Sequence, residues 1–226
     1  MRTILSLAAL STMLPSPVPA ADWKRLFNGK DLDGWEKRGD GVWVVLKDGT
    51  LVGERRPAFQ ETVKEWPVTR AQYLAWLDRQ AWLYTVQEFE EFDLSLEYWL
   101  RARGNSGVSI RDPGRAEFGI ISPPDYTRTP SKVAYEIQIN NNYPDPNPTG
   151  TIYGLAKATP GAQIDDQWNQ MVIESRSDAI RVKLNGRLVA GHAGDPKRPK
   201  RGPIGLQLHD QTCVVMFRNI QIREIK

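Results

Sequence analysis

Much of the chain alternates apolar and polar residues with a period of two. Phe92, Leu94, Leu96, Tyr98 and Leu100 interleave with Asp93, Ser95, Glu97 and Trp99. Ile180, Val182 and Leu184 interleave with Arg181 and Lys183, and Asn185-Gly186 then supplies a hairpin turn into Arg187, Leu188 and Val189. Strand side chains point alternately to opposite faces, so these segments predict half-buried strands joined by a tight turn. A second hairpin is predicted over 42–53, turning at Asp48-Gly49. Short strands between turn signals, with few helical stretches, predict an antiparallel β-sandwich and an all-β fold.

One segment breaks the period. Over 67–80, Thr69 is placed to cap a helix, and Gln72 stands three residues on, the spacing of a capping box. Tyr73, Trp76 and Leu77 then share a helical face. This predicts a short helix in an insertion of about 57–80, packed on the sandwich for stability rather than closing a site as a lid. No internal repeat or linker marks a second domain.

A length of 226 residues suits one domain. With 30 basic and 27 acidic residues the formal charge is +3, which makes no electrostatic case for nucleic acid. The densest basic cluster, Asp195 to Gly202, contains two prolines and reads as a solvated turn. At the N-terminus, Arg2, an apolar run over 3–14 and the small-residue stretch 15–21 have the form of a signal peptide. Its removal would leave 22–226 as a soluble periplasmic or secreted chain. The apolar run is too short to span a membrane comfortably. Cys213 is the only cysteine, so no internal disulfide is expected, and its place ahead of Val214 and Val215 predicts a buried thiol.

Three predicted strands share an unusual polarity. Asn105, Ser109 and Arg111 fall on one parity against Val108 and Ile110. Glu136, Gln138 and Asn140 oppose Tyr135, Ile137 and Ile139, and Gln207 and His209 oppose Leu206 and Leu208. Side by side in one sheet, these strands would gather amides, an arginine, a carboxylate and an imidazole on one face. Amides and charged groups offer the paired donors and acceptors that sugar hydroxyls require. A carboxylate beside a histidine adds acid–base capacity. Taken singly, each has a structural reading: Glu136 and Arg111 could form an ion pair, and His192 reads as structural. The loop 140–150 carries oxygen donors at Asn142, Asp145 and Asn147. It matches no standard calcium loop and reads as a turn-rich rim, so no cofactor is called for, although calcium stays open there.

At this point a family resemblance emerges. LFNGKDLDGW (26–35), NSGVSIR (105–111), YEIQIN (135–140), TGTIYG (149–154), QWNQMVIE (167–174), LNG (184–186), GPIGLQLH (202–209) and FRNIQIREI (217–225) follow one another in order. The set resembles the 3-keto-disaccharide hydrolase domain family from about Trp23 onward, apart from the insertion. The resemblance implies a concanavalin/glucanase-like jelly-roll sandwich with a concave sheet holding the site, and a glycoside oxidised to a ketone at C3 as substrate. For that chemistry Glu136, central among polar neighbours, is expected as the base at C2, His209 as the proton shuttle because imidazole titrates near neutral pH (or the two exchanged), and Arg111 as the oxyanion stabiliser. Asn105, Gln138, Asn140 and Gln207 would orient hydroxyls, while the Tyr153 and Trp168 rings would stack on sugar or pack in the core. The family pattern Glu-x-Gln-x-Asp is broken at Asn140, which keeps the shape of aspartate without its charge. The rival expectation is a non-catalytic carbohydrate-binding module on the same sandwich. A retaining glucanase is disfavoured, because that type needs two glutamates flanking an aspartate on one strand.

Overall fold

The structure, a computed structural model, describes residues 22–55 and 69–225. The expected signal peptide and the first part of the expected insertion lie outside the described residues. Along the chain run β1 (Lys24–Arg25), β2 (Trp35–Arg38), β3 (Gly41–Val45), β4 (Leu51–Arg55), helix α1 (Arg70–Asp78), β5 (Ala81–Thr85), β6 (Phe92–Leu100) and β7 (Gly104–Ile110). Then come helix α2 (Pro130–Val133), β8 (Tyr135–Asn141), β9 (Asn169–Ser175), β10 (Ile180–Leu184), β11 (Arg187–His192), β12 (Ile204–Leu208) and β13 (Val214–Glu224). Both predicted hairpins form, β3–β4 and β10–β11.

Among the described residues the strands build two antiparallel sheets packed face to face. The larger runs β11-β10-β9-β6-β13-β4-β3, with β1 added on β13, and the smaller runs β2-β5-β12-β7-β8. The period-two pattern decides what lies between them. Leu94, Leu96 and Tyr98 of β6 and Met171 and Ile173 of β9 belong to one buried cluster with Val108 and Ile110 of β7, Ile137 and Ile139 of β8, and Leu206 and Leu208 of β12. Such burial is the dominant favourable term in folding. Cys213 joins this cluster, and burial pushes its thiol up to about 12, so it is the inert thiol expected.

The two sheets differ on their outer faces. Strand β9 alternates buried and exposed positions as a solvated strand should, whereas β7, β8 and β12 are buried at every position. The polar parity of the smaller sheet therefore lies under loops rather than in open water. Buried polar groups need partners or a purpose.

Helix α1 starts as its sequence predicts. Gln72 N donates to Thr69 Oγ1 at 3.2 Å and Thr69 N donates to Gln72 Oε1 at 2.7 Å, completing the capping box. Trp76 is its buried residue and meets the Tyr73 ring at 5.8 Å. Immediately after the helix, Arg79 pairs with Asp40 at 2.5 Å, and Asp40 also holds Arg55 of β4 at 2.7 Å. This bracket fixes where the chain re-enters β5 and so places Gln80 beside the polar face.

Candidate active site

Register assembles the site. Across β7 and β8, Asn105, Gly107 and Ser109 stand opposite Asn140, Gln138 and Glu136. Gly205 of β12 stands opposite Ser109 on one side and Tyr84 of β5 on the other. The centre of the face is left without a side chain at Gly107. A Cβ there would lie 3.1 Å from Glu136 Oε1 and 3.2 Å from Gln207 Oε1. Through that gap Gln207 Nε2 donates to Glu136 Oε1 at 2.9 Å, a buried bond joining β12 to β8 across β7.

A cleft of about 180 Å³ opens over this face. Five of the residues expected from sequence line it: Asn105, Glu136, Gln138, Tyr153 and His209. Two larger hollows, of about 520 and 640 Å³, contain neither Glu136 nor His209, so size does not pick out the site; the titratable groups do. Burial pushes the Glu136 carboxyl up to about 7, opposed by the charge of His209 and the Gln207 hydrogen bond and assisted by Asp112 and Asp145. A carboxyl that titrates near neutrality can accept or give a proton under ordinary conditions. Gln138 Nε2 and Asn105 Oδ1 are buried with no hydrogen-bond partner among the described residues.

His209 follows β12 directly and is partly exposed. Its Nδ1 lies 3.3 Å from Asp210 Oδ2, and the Tyr143 ring meets the imidazole edge-on at 5.5 Å. Asp210 Oδ1 accepts from the backbone N and hydroxyl of Thr212 at 2.8 and 2.7 Å. Although burial opposes it, hydrogen bonds from His209 and Thr212 hold the Asp210 carboxyl well below the usual range. Tyr153 donates to Asp145 Oδ2 at 3.0 Å, which ties the 140–150 loop to the cleft rim as expected.

Four expected site residues have other placements. Arg111 lies just past β7 with φ of 59°, which turns it out of the strand's alternation. Its guanidinium donates to Glu90 O at 2.9 Å and Arg176 O at 2.8 Å, far from oxyanion duty in the cleft. Trp168 lies beneath the Arg218 guanidinium of β13, 4.1 Å from ring centroid to carbon, and so belongs to the other sheet. Asn140 is on the predicted parity, but its amide is spent on the loop: Nδ2 donates to Asp145 O and Asn147 O at 3.1 Å each, and Oδ1 accepts from Tyr143 N at 2.9 Å. Gln207 holds Glu136 and does not line the cleft. His192 is structural as expected, with Nδ1 accepting from Gly194 N at 3.0 Å.

Other lining residues come from loops. Thr129, Ser131 and Lys132 arrive with α2, Tyr126 from the loop before it, and Gln80 from the end of the insertion. Tyr126 donates to Asp78 O at 3.0 Å, and Gln80 Oε1 accepts from Trp82 Nε1 at 3.0 Å. The run Thr129-Pro130 is legible as a helix start. Nothing in it says which sheet the helix will face. Among the described residues no group of three or more His, Cys, Asp or Glu side chains is arranged to hold a metal ion.

Two antiparallel sheets, one bearing a cleft with an acid and an imidazole, define a concanavalin-type jelly roll. Solved structures agree on the fold. Two candidate glycosyl hydrolases from Parabacteroides distasonis superpose with TM-scores of 0.61 and 0.64 at 24% and 20% identity, covering 90% of this chain each and 100% and 94% of theirs. The carbohydrate-binding module CBM66 from Bacillus subtilis follows at 0.51 and 13%, covering 84% of this chain and 96% of its own. The chain belongs to the 3-keto-alpha-glucoside-1,2-lyase-like domain family, whose sequence profile matches residues 22–223. It carries that family's domain on a jelly-roll sandwich. No curated protein matches it.

Proposed function

We propose that the chain cleaves 3-keto-glycosides by elimination and rehydration. A ketone at C3 acidifies the C2–H bond. The Glu136 carboxylate takes that proton, and the bonding pair passes into the ring as an enolate. Collapse of the enolate forms the C1–C2 double bond and breaks the bond from C1 to the glycosidic oxygen. The departing oxygen takes a proton from His209. Water then adds across the double bond, its hydroxyl to C1 and its proton to C2, so the net change is hydrolysis. With Arg111 engaged elsewhere, the donors at hand for the enolate oxygen are the Gln138 amide and Lys132, both of which line the cleft. Asn105 and Tyr153 would hold ring hydroxyls.

The observation that carries this reading is the pairing, in one cleft, of a buried carboxyl raised to about 7 with an imidazole. A base removing a carbon-bound proton gains from a pKa near the working pH. Nothing in the route needs the two carboxylates at fixed separation that ordinary glycosidases use. The test is incubation of residues 22–226 with 3-keto-trehalose, 3-keto-glucosides and the unoxidised sugars. Release of 3-keto-glucose, with deuterium entering C2 in heavy water, is expected from the oxidised sugars alone. Saturable binding without turnover would instead mark a carbohydrate-binding module. Residues 1–21 are proposed as an export signal, to be checked by the mass of the protein recovered from periplasm or medium.

A further inference from the structure

The acid of the proposed reaction does not stand alone. Asp210 touches His209 at Nδ1, the nitrogen away from any reacting group if Nε2 serves the cleft. Both hydrogen bonds from Thr212 land on Oδ1, while Oδ2 is the oxygen that meets the imidazole, and the Tyr143 hydroxyl also reaches the Asp210 carboxylate. The Tyr143 ring closes the side of the imidazole and limits its rotation. A separation of 3.3 Å is long for a hydrogen bond, as pairs of this kind are before substrate binds. Other charged or titratable groups bear on the same imidazole or its carboxylate: Glu136 from β8, Lys132 from α2, Asp145, Tyr126 and Tyr153 around the cleft, Tyr143 and Cys213 beside the His209–Asp210 pair, and Arg55 of β4 beyond Asp210. Among the described residues, Asp210 is the carboxylate in contact with a ring nitrogen of His209.

We propose that Asp210 is a positioning residue, which fixes the proton of neutral His209 on Nδ1, turns Nε2 to the cleft and supports the imidazolium that protonates the leaving oxygen. The role rests on the proposed elimination for its rate effect, but its structural content does not. The chain has two histidines, so nitrogen NMR of labelled protein, with His192→Gln for assignment, reads the His209 tautomer directly. Asp210→Asn is expected to move the neutral ring away from the Nδ1–H form and to lower kcat on a 3-keto-glucoside by at least about 10-fold with KM little changed. The alkaline limb of the pH profile should move to lower pH. An unchanged tautomer overturns the proposal whatever the rates. A changed tautomer with unchanged kcat overturns it equally. Should Asp210→Asn fail to fold, Thr212→Val, which loosens the grip on Oδ1, is judged by the same two readouts. If the unmodified protein turns over no 3-keto-glycoside, the proposed reaction falls, while the NMR result still decides whether Asp210 sets the imidazole.

Discussion

Gln207 Nε2 donates to Glu136 Oε1 at 2.9 Å through the space left by Gly107. The bond favours the carboxylate form, yet burial outweighs it and the acid titrates near 7. The cleft thus holds a proton acceptor that is hydrogen-bonded in place and poorly solvated.

Stability should register that burial. Glu136 binds its proton more tightly folded than unfolded, so the native chain holds more protons between about 4.5 and 7. Stability from this group is therefore complete at low pH and lost as pH rises through that window. The full loss is about 3 kcal/mol. Thermal melts of Glu136→Gln and the unmodified chain should diverge as pH rises from about 4.5 to 7 and stay apart above it, with the amide variant the more stable. Equal differences in Tm at pH 5 and pH 8 would remove the argument for a desolvated acid.

Activity should follow the same group with opposite sense. The base works only as carboxylate, so kcat/KM should rise tenfold per pH unit below about 7 and then level, before any loss of the protonated acid. Glu136→Gln should lower turnover by on the order of 10²–10⁴-fold while keeping the fold. A flat profile from pH 5 to 7 would point to a different base.

Gly107→Ala tests the gap itself. The added methyl group would meet Glu136 and Gln207 oxygens at 3.1 and 3.2 Å, closer than ordinary contact. Overpacking of this kind costs about 1–3 kcal/mol, reduced here because the atoms met are side-chain ends. The expected signature is a kcat that falls while the protein stays folded. Unchanged kinetics would mean that the Gln207–Glu136 bond is dispensable.

The legible parts of this molecule were those that strand alternation governs. Glu136, Gln138 and Asn105 reach the cleft because each sits inside a strand, where parity decides the face. Arg111 turns elsewhere because its own positive φ ends the alternation just past β7. Asn140 stands on the face that parity predicts, while the loop that engages its amide folds back over it, a tertiary event that no local pattern announces. Tyr126 sits on a connection, and Ser131 and Lys132 on a single helical turn too short to show a period, so only the packed chain decides what points inward. Helix α1 was readable because a capping box is local: Thr69 and Gln72 need only each other's backbone.

Arg111 should behave as a structural residue. Arg111→Met removes the guanidinium's hydrogen bonds to the part-buried carbonyls of Glu90 and Arg176, each worth about 1.5–3 kcal/mol as a bond from a charged donor. Urea unfolding should show that loss, while kcat measured at low temperature on the folded fraction stays near normal. Full stability with a collapsed kcat would return Arg111 to the chemistry.

Asn140 gives the least intuitive expectation. Asn140→Asp matches the acidic residue of the family pattern, yet it should weaken the protein. The present amide donates to Asp145 O and Asn147 O, and a carboxylate would set negative charge against both carbonyl oxygens. Only the bond accepted from Tyr143 N survives the change. The loss is about 1–3 kcal/mol, larger above the carboxyl's own pKa than below it. Because the loop carries Tyr143 against His209 and Asp145 against Tyr153, the rim of the cleft loosens with it. A lower Tm and a raised KM for a 3-keto-glucoside are therefore expected, with kcat no higher than before. A variant that melted normally and turned over faster would show that this position acts on substrate, not on the loop.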